Sequence, residues 1–198
     1  IAQCLVGSEM CIRDRMKDAA VIADRVLHKY EGVDFFALVP NFYGARSAVA
    51  AGLKEITPVI SLSESHNRAN VKRTVDESVE EIKKIRQTFP DIRITQDIAC
   101  VFGCPFEGEM PVEALLLLVG RLKEIGVDAF TLCDTVGLAY PALVERIFKA
   151  VKSEFPGMEF NAHIHDTRNM GILNSYVALG SGADSIQAAV GGLGGCPF

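Results

Sequence analysis

The sequence predicts an α/β fold built on a parallel sheet, and three observations carry that prediction. Short apolar runs alternate with helical stretches from Phe35 to Val190, giving six candidate strands, each separated from the next by a helix. The runs are mostly apolar on both faces, as parallel strands covered by helices must be. Polar residues gather at the C-terminal ends of these runs: Asn41, Ser63-Glu64, Cys100, Asp134, His163 and His165.

The elements follow in order. Between Lys17 and Tyr30, residues Ala19, Ile22, Ala23, Val26, Leu27 and Tyr30 recur at helical spacing and share one face. Phe35 to Val39 reads as a buried strand, Ser47 to Leu53 as an Ala-rich helix and Glu55 to Leu62 as a second strand. Ser63, Glu64 and Asn70 then fall in a long connection. Thr74 opens a helix, with Glu77 three residues on as a capping box, and Pro90 stops it. Ile92 to Val101 is a strand, and Pro111 to Ile125 is a helix ended near Gly126. Val127 to Leu132 is a strand, and Pro141 to Phe155 is a helix with proline in its first turn. Met158 to Ile164, Asn169 to Gly180 and Ala183 to Val190 complete the series as strand, helix and strand.

Repeated βα units admit a barrel or a doubly wound sheet. No GxGxxG follows the first strand, which removes support for the nucleotide-binding version. The polar strand ends favour the barrel, whose chemistry sits there. Six units fall short of eight, so an incomplete (β/α)8 barrel is expected. Both ends point the same way. Residues 1–15 have no clean period and resemble a translated adapter read-through, so they read as non-native. The chain stops inside a glycine-rich loop, leaving residues 16–198 as a partial catalytic domain.

Composition bounds the function. The chain has 198 residues, enough for one domain with a sizeable core. A net charge of −5 gives no basic footprint for nucleic acid. No apolar run reaches the ~20 residues that a membrane helix needs. The six cysteines fit neither a disulfide framework nor a CxxC zinc pair, so a reducing, cytoplasmic setting is expected.

Five groups of residues could carry chemistry. His163 and His165 are two apart on a strand, so alternation puts both imidazoles on one face, where they can share one divalent metal; the alternative is a hydrogen-bonded polar pair at a strand end. Gly191-Gly192-Leu193-Gly194-Gly195-Cys196-Pro197 is a glycine loop whose thiol could act as acid, base or nucleophile, or could be incidental. Asp134 could orient a histidine or bind substrate, or it could hold a turn ahead of the Pro141 helix. Cys100 and Cys104 could form a thiol pair, but a turn with two packed thiols is the preferred reading. Ser63, Glu64 and Asn70 are candidate ligand contacts, with solvated loop as the alternative.

These residues, with Leu38-Val39-Pro40-Asn41, AVAAGLKE (48–55), CVFGCPFEG (100–108), Asp134-Thr135-Val136-Gly137, HIHDT (163–167) and GLGGCPF (192–198), resemble the 3-hydroxy-3-methylglutaryl-CoA lyase family. That group comprises metal-dependent TIM-barrel lyases and Claisen-type synthases. The resemblance implies that His163 and His165 are metal ligands for Mg²⁺ or Mn²⁺, with Zn²⁺ as a further candidate. Cys196 resembles the catalytic loop cysteine and Asp134 an active-site aspartate. His163 is counted with both in the catalytic set. It further implies that the six strands are the third to eighth of the barrel, that the substrate is an acyl-CoA, and that the full-length protein is a homo-oligomer. The family's Arg-Asp-Gly motif has no counterpart here, since Arg13-Asp14-Arg15 matches it only superficially. Arg168-Asn169-Met170-Gly171 stands where mitochondrial-type lyases carry Tyr-Gly, which leaves the acyl group open. The implied reaction is a retro-Claisen cleavage giving acetyl-CoA and acetoacetate. A Claisen-type condensation with a 2-oxo acid, and a fragment inactive as it stands, are the alternatives.

Overall fold

A computed structural model describes residues 18–30 and 32–192. Helix α1 (Ala19–Lys29) precedes strand β1 (Phe36–Val39), helix α2 (Phe42–Ala50) and strand β2 (Glu55–Ser61). Helices α3 (Glu64–Val71) and α4 (Val75–Thr88) lead to β3 (Arg93–Ala99). Then come α5 (Val112–Ile125), β4 (Ala129–Asp134), α6 (Pro141–Glu154), β5 (Glu159–Ile164), α7 (Gly171–Gly180) and β6 (Ser185–Gln187). The strands lie in the order β1-β2-β3-β4-β5-β6, and every neighbouring pair is parallel. They curl into a half-barrel, so the predicted α/β class and the incomplete barrel both hold.

Alternation sorts the sheet into two unlike faces. Ile56, Ile60, Ile94, Ile98, Phe130, Leu132, Phe160 and Ala162 are fully buried and join the helix residues in one core. Phe130 and Phe160 stack there with centroids 5.6 Å apart. Burying each such large side chain contributes about 1.5–3 kcal/mol. The interleaved positions of β2–β6 face the lumen and most of them are polar. Arg93 donates to Glu159 at 2.7 Å, and Thr95 donates to Glu55 at 2.6 Å. Asn161 accepts from Ser185 at 2.6 Å. The strands thus carry an apolar outer face and a hydrogen-bonded inner one, which corrects the expectation of apolar character on both.

The caps read from sequence are present. Thr74 and Glu77 form the reciprocal capping box of α4, and Pro141 opens α6. Five expectations need correction. The long connection after β2 is helix α3, whose polar sequence ESHNRANV has no apolar stripe to announce it. The Ala-rich helix starts earlier, at Phe42, because Asn41 caps it by accepting from Gly44 N–H. β1 is a sheet edge with Phe36 and Leu38 51% and 62% exposed, because both face the open lumen. The last strand is only Ser185–Gln187, and a 3₁₀ turn at Val190–Gly192 follows, with both glycines at positive φ. Of the predicted apolar face of α1, only Ala23 is buried.

Candidate active site at the strand C-terminal ends

β5 delivers His163 from its inner face, and His165 stands just beyond the strand on the same side. Their Nε2 atoms lie 3.1 Å apart. His163 Nδ1 meets Gln187 Oε1 at 2.7 Å, across the β5–β6 pairing. Burial and the neighbouring His163 push the His165 pKa below its usual value, while a hydrogen bond with the Thr135 backbone opposes this. Both rings therefore have acceptors behind them and nitrogens meeting in front. Two facing lone pairs at this distance repel unless a proton or cation lies between them. Two nitrogens bound at right angles to one cation at about 2.1 Å stand about 3 Å apart. The imidazole pair fits two adjacent positions around a divalent ion. Among the described residues no third His, Cys, Asp or Glu joins them.

Asp134 ends β4 and is buried. Its two carboxylate oxygens accept from Leu138 N–H at 2.8 Å and Ala139 N–H at 3.2 Å. Burial raises its pKa, and these donors, with the nearby Arg168 charge, offset only part of that rise. Arg168 in turn donates to the carbonyls of Gly137 and Leu138, each at 3.0 Å. Loop 135–139 is thereby tied to segment 166–170, and its Thr135 touches His165. Asp166 accepts from Gly171 N–H at 2.7 Å, which holds the start of α7.

The remaining predicted residues sit apart from the imidazoles. Ser63 is the buried N-cap of α3; it accepts from His66 N–H at 3.1 Å and from the Cys104 thiol at 3.0 Å. Glu64 accepts from Arg68 and from Val75 N–H. Asn70 is exposed on α3. Cys100 and Cys104 are buried in the turn after β3, as the packed-thiol reading expects. Cys196 lies outside the described residues, as do residues 1–15.

Sequence reasoning missed Asp97, Thr131 and Gln187, which line the inner face beside His163. The Asp97 carboxyl draws hydrogen bonds from Thr131 and Gln187, yet burial wins and pushes its pKa up to about 6. Its Oδ1 is buried with no hydrogen-bond partner among the described residues. The signal was available: Arg93, Thr95 and Asp97 recur at a spacing of two along the strand, the period of one face.

The raised pKa has a sign that can be checked. A carboxyl with ordinary pKa 3.8 in the unfolded chain and about 6 in the folded one binds its proton more tightly when folded. Its favourable contribution is complete below pH 4 and is lost as pH rises through 6. The loss is on the order of 3 kcal/mol, at about 1.4 kcal/mol per pH unit. Asp97→Asn should therefore gain stability relative to the parent chain between pH 4 and 6 and hold that gain above it. Urea midpoints measured across this window check the slope; parallel curves would refute it.

A parallel half-barrel with an imidazole pair at its strand C-terminal ends places the chain among (β/α) barrels whose chemistry sits at that face. The family model described as HMGL-like matches residues 15–196. The chain belongs to the HMGL-like family. It is 35% identical over 185 residues to a hydroxymethylglutaryl-CoA lyase of Bacillus subtilis, covering 92% of this chain and 62% of that protein. It is 37% identical over 166 residues to an (R)-citramalyl-CoA lyase of Chloroflexus aurantiacus, covering 83% of this chain and 52% of that one. An HMG-CoA lyase structure from Acinetobacter baumannii, in complex with coenzyme A and 3-methylmalate, superposes with a TM-score of 0.88 at 33% identity. It covers 93% of this chain and 61% of the other. The chain thus spans about three fifths of the length of these lyases, and the resemblance read from its motifs is borne out.

Proposed function

We propose that this chain forms the larger part of a carbon–carbon lyase site that cleaves 3-hydroxy-3-methylglutaryl-CoA or a close 3-hydroxyacyl-CoA. The observation that carries this reading is the 3.1 Å approach of the His163 and His165 Nε2 atoms at the barrel mouth. His163 and His165 would hold a divalent cation, Mg²⁺ or Mn²⁺ by preference and Zn²⁺ as the alternative, which eases deprotonation of the substrate 3-hydroxyl.

The C2–C3 bond then breaks, and its electron pair moves to C2 of the departing acetyl-CoA. Cys196, in the glycine-rich stretch of the sequence, would protonate that carbon or relay to it the proton given up by the 3-hydroxyl, so that no net proton is lost. Asp134 orients rather than reacts on this reading, because its oxygens are engaged by the loop that touches His165. Ser63, Glu64 and Asn70 contribute at most to the rim of the substrate site. The setting would be cytoplasmic and the complete protein a homo-oligomer.

A second reading is supported by the 37% identity to a citramalyl-CoA lyase, which makes the acyl group the open variable. Coenzyme A release from 3-hydroxy-3-methylglutaryl-CoA and from citramalyl-CoA, assayed on the complete polypeptide containing this chain, separates the two. Cleavage of either with Mg²⁺ or Mn²⁺ is expected, and Cys196→Ser should keep substrate binding while losing most turnover. Condensation of acetyl-CoA with a 2-oxo acid, without cleavage, would replace the lyase by a Claisen-type synthase. The 198-residue chain alone should bind metal weakly and turn over little, since it spans about three fifths of its relatives.

A further inference from the structure

Four adjacent strands place four polar side chains close together on the lumen face, in two levels of the register: Asp97 on β3 beside Thr131 on β4, and, one inward-facing position further toward the mouth, His163 on β5 beside Gln187 on β6. Asp97 pairs with Thr131 across one strand boundary, and His163 pairs with Gln187 across another. The contacts run continuously. Gln187 Nε2 donates to Thr131 Oγ1 at 3.3 Å and Gln187 Oε1 faces His163 Nδ1 at 2.7 Å; Asp97 adjoins Thr131 in the register, and Thr131 and Gln187 are its hydrogen-bond partners through Oδ2, Oδ1 having none among the described residues.

A chain of this kind has a direction, and the member that cannot reverse sets it. Threonine can donate or accept, and a glutamine amide can present either end. A carboxylate only accepts. With Asp97 at the head, the Thr131 hydroxyl and the Gln187 NH₂ must point toward it. A flipped Gln187 would set its carbonyl oxygen against the carboxylate. Gln187 is left with only Oε1 for His163, and that oxygen requires a proton on Nδ1. The Nε2 lone pair must then face the mouth, where His165 Nε2 lies 3.1 Å away.

We propose that Asp97 is a positioning residue that acts through Thr131 and Gln187 to hold His163 as the Nδ1–H tautomer, with Nε2 offered as a donor toward the barrel mouth. The purpose of that donor rests on the metal-assisted reading above. The tautomer itself does not. Asp97 touches no reacting atom, and its buried, incompletely satisfied carboxylate is the feature that a purely structural residue would not need.

The test is spectroscopic. Long-range ¹H–¹⁵N correlation spectra of the histidine-labelled 198-residue chain at pH 7.5 report which ring nitrogen of His163 is protonated. The parent chain should show the Nδ1–H pattern. Asp97→Asn, which can offer an amide N–H in place of an acceptor, should give a mixture of both tautomers. Thr131→Val provides a second variant that weakens the relay without removing the charge, and should shift the mixture in the same direction to a smaller extent. Adding Gln187→Glu to Asp97→Asn should restore the Nδ1–H form, because a carboxylate then accepts from His163 directly. Zn²⁺ affinity should fall about 10- to 100-fold in Asp97→Asn. An unchanged tautomer in Asp97→Asn overturns the proposal. A shifted tautomer in a chain that binds no metal under any condition keeps it and overturns the metal-assisted reading instead.

Discussion

Removing the second imidazole, His165→Ala, should weaken binding of a divalent cation by about 100-fold or more. Structural zinc sites with about four protein ligands bind with roughly 10–16 kcal/mol, so one ligand accounts for about 3 kcal/mol. The loss should be at least this large here, because only two imidazoles meet and no third His, Cys, Asp or Glu joins them among the described residues. His165 lies beyond the last residue of β5, so its truncation leaves the β4–β5 and β5–β6 pairings intact. The substitution also relieves the 3.1 Å approach of two ring nitrogens. The folded chain without metal should therefore stay within about 1 kcal/mol of the parent, the relieved approach offsetting the lost hydrogen bond to the Thr135 backbone. Calorimetric titration with Mn²⁺ and Zn²⁺, paired with a thermal melt in chelator, separates these effects. Undiminished affinity would remove the imidazole pair from the metal site.

Gly137→Ala should destabilise the fold by about 3 kcal/mol, and two causes add. Gly137 sits at φ +70, in the left-handed region that costs an L-residue roughly 1–2 kcal/mol. A Cβ there would also stand 2.6 Å from both Cβ and Oγ1 of Thr167, well inside contact distance. Neither side can withdraw easily, because Arg168 ties the two segments together through the Gly137 and Leu138 carbonyls. For a domain of this size the loss lowers the melting temperature by roughly 10 °C. Thr167→Ala should restore part of it by removing Oγ1, though not the backbone strain. A melting temperature within a degree or two of the parent would show that the two loops are not packed as described.

The half-barrel was legible because its strands are short apolar runs separated by capped helices. Thr74, Glu77, Pro90 and Pro141 marked boundaries that the structure confirms to within a residue or two. Where the signal failed, it failed for identifiable reasons. Helix α3 is written in polar residues and gains its place by capping and by burying His66 and Asn67, not by an apolar stripe. β1 reads as apolar, but its sheet-edge position and the open lumen are properties of the whole arrangement, not of five residues. The imidazole pair was readable from a spacing of two in a strand. Its support was not, because Asp97, Thr131 and Gln187 come from three other strands and meet only through register. The approach of Gly137 to Thr167 is likewise a contact between two loops that no local pattern announces.

The split between oily and charged sides of each strand also bears on how the chain finds its shape. A slip of β3 by a single position would turn Arg93, Thr95 and Asp97 among the isoleucines and phenylalanines beneath the helices, and would lift Ile94 and Ile98 into the cavity. An ionised group stranded there without a partner costs several kcal/mol, far more than any weak misaligned pairing returns. Charges that look like a burden on the finished molecule thus act as proofreaders of its pairing, since every misaligned register would strand one of them in oil.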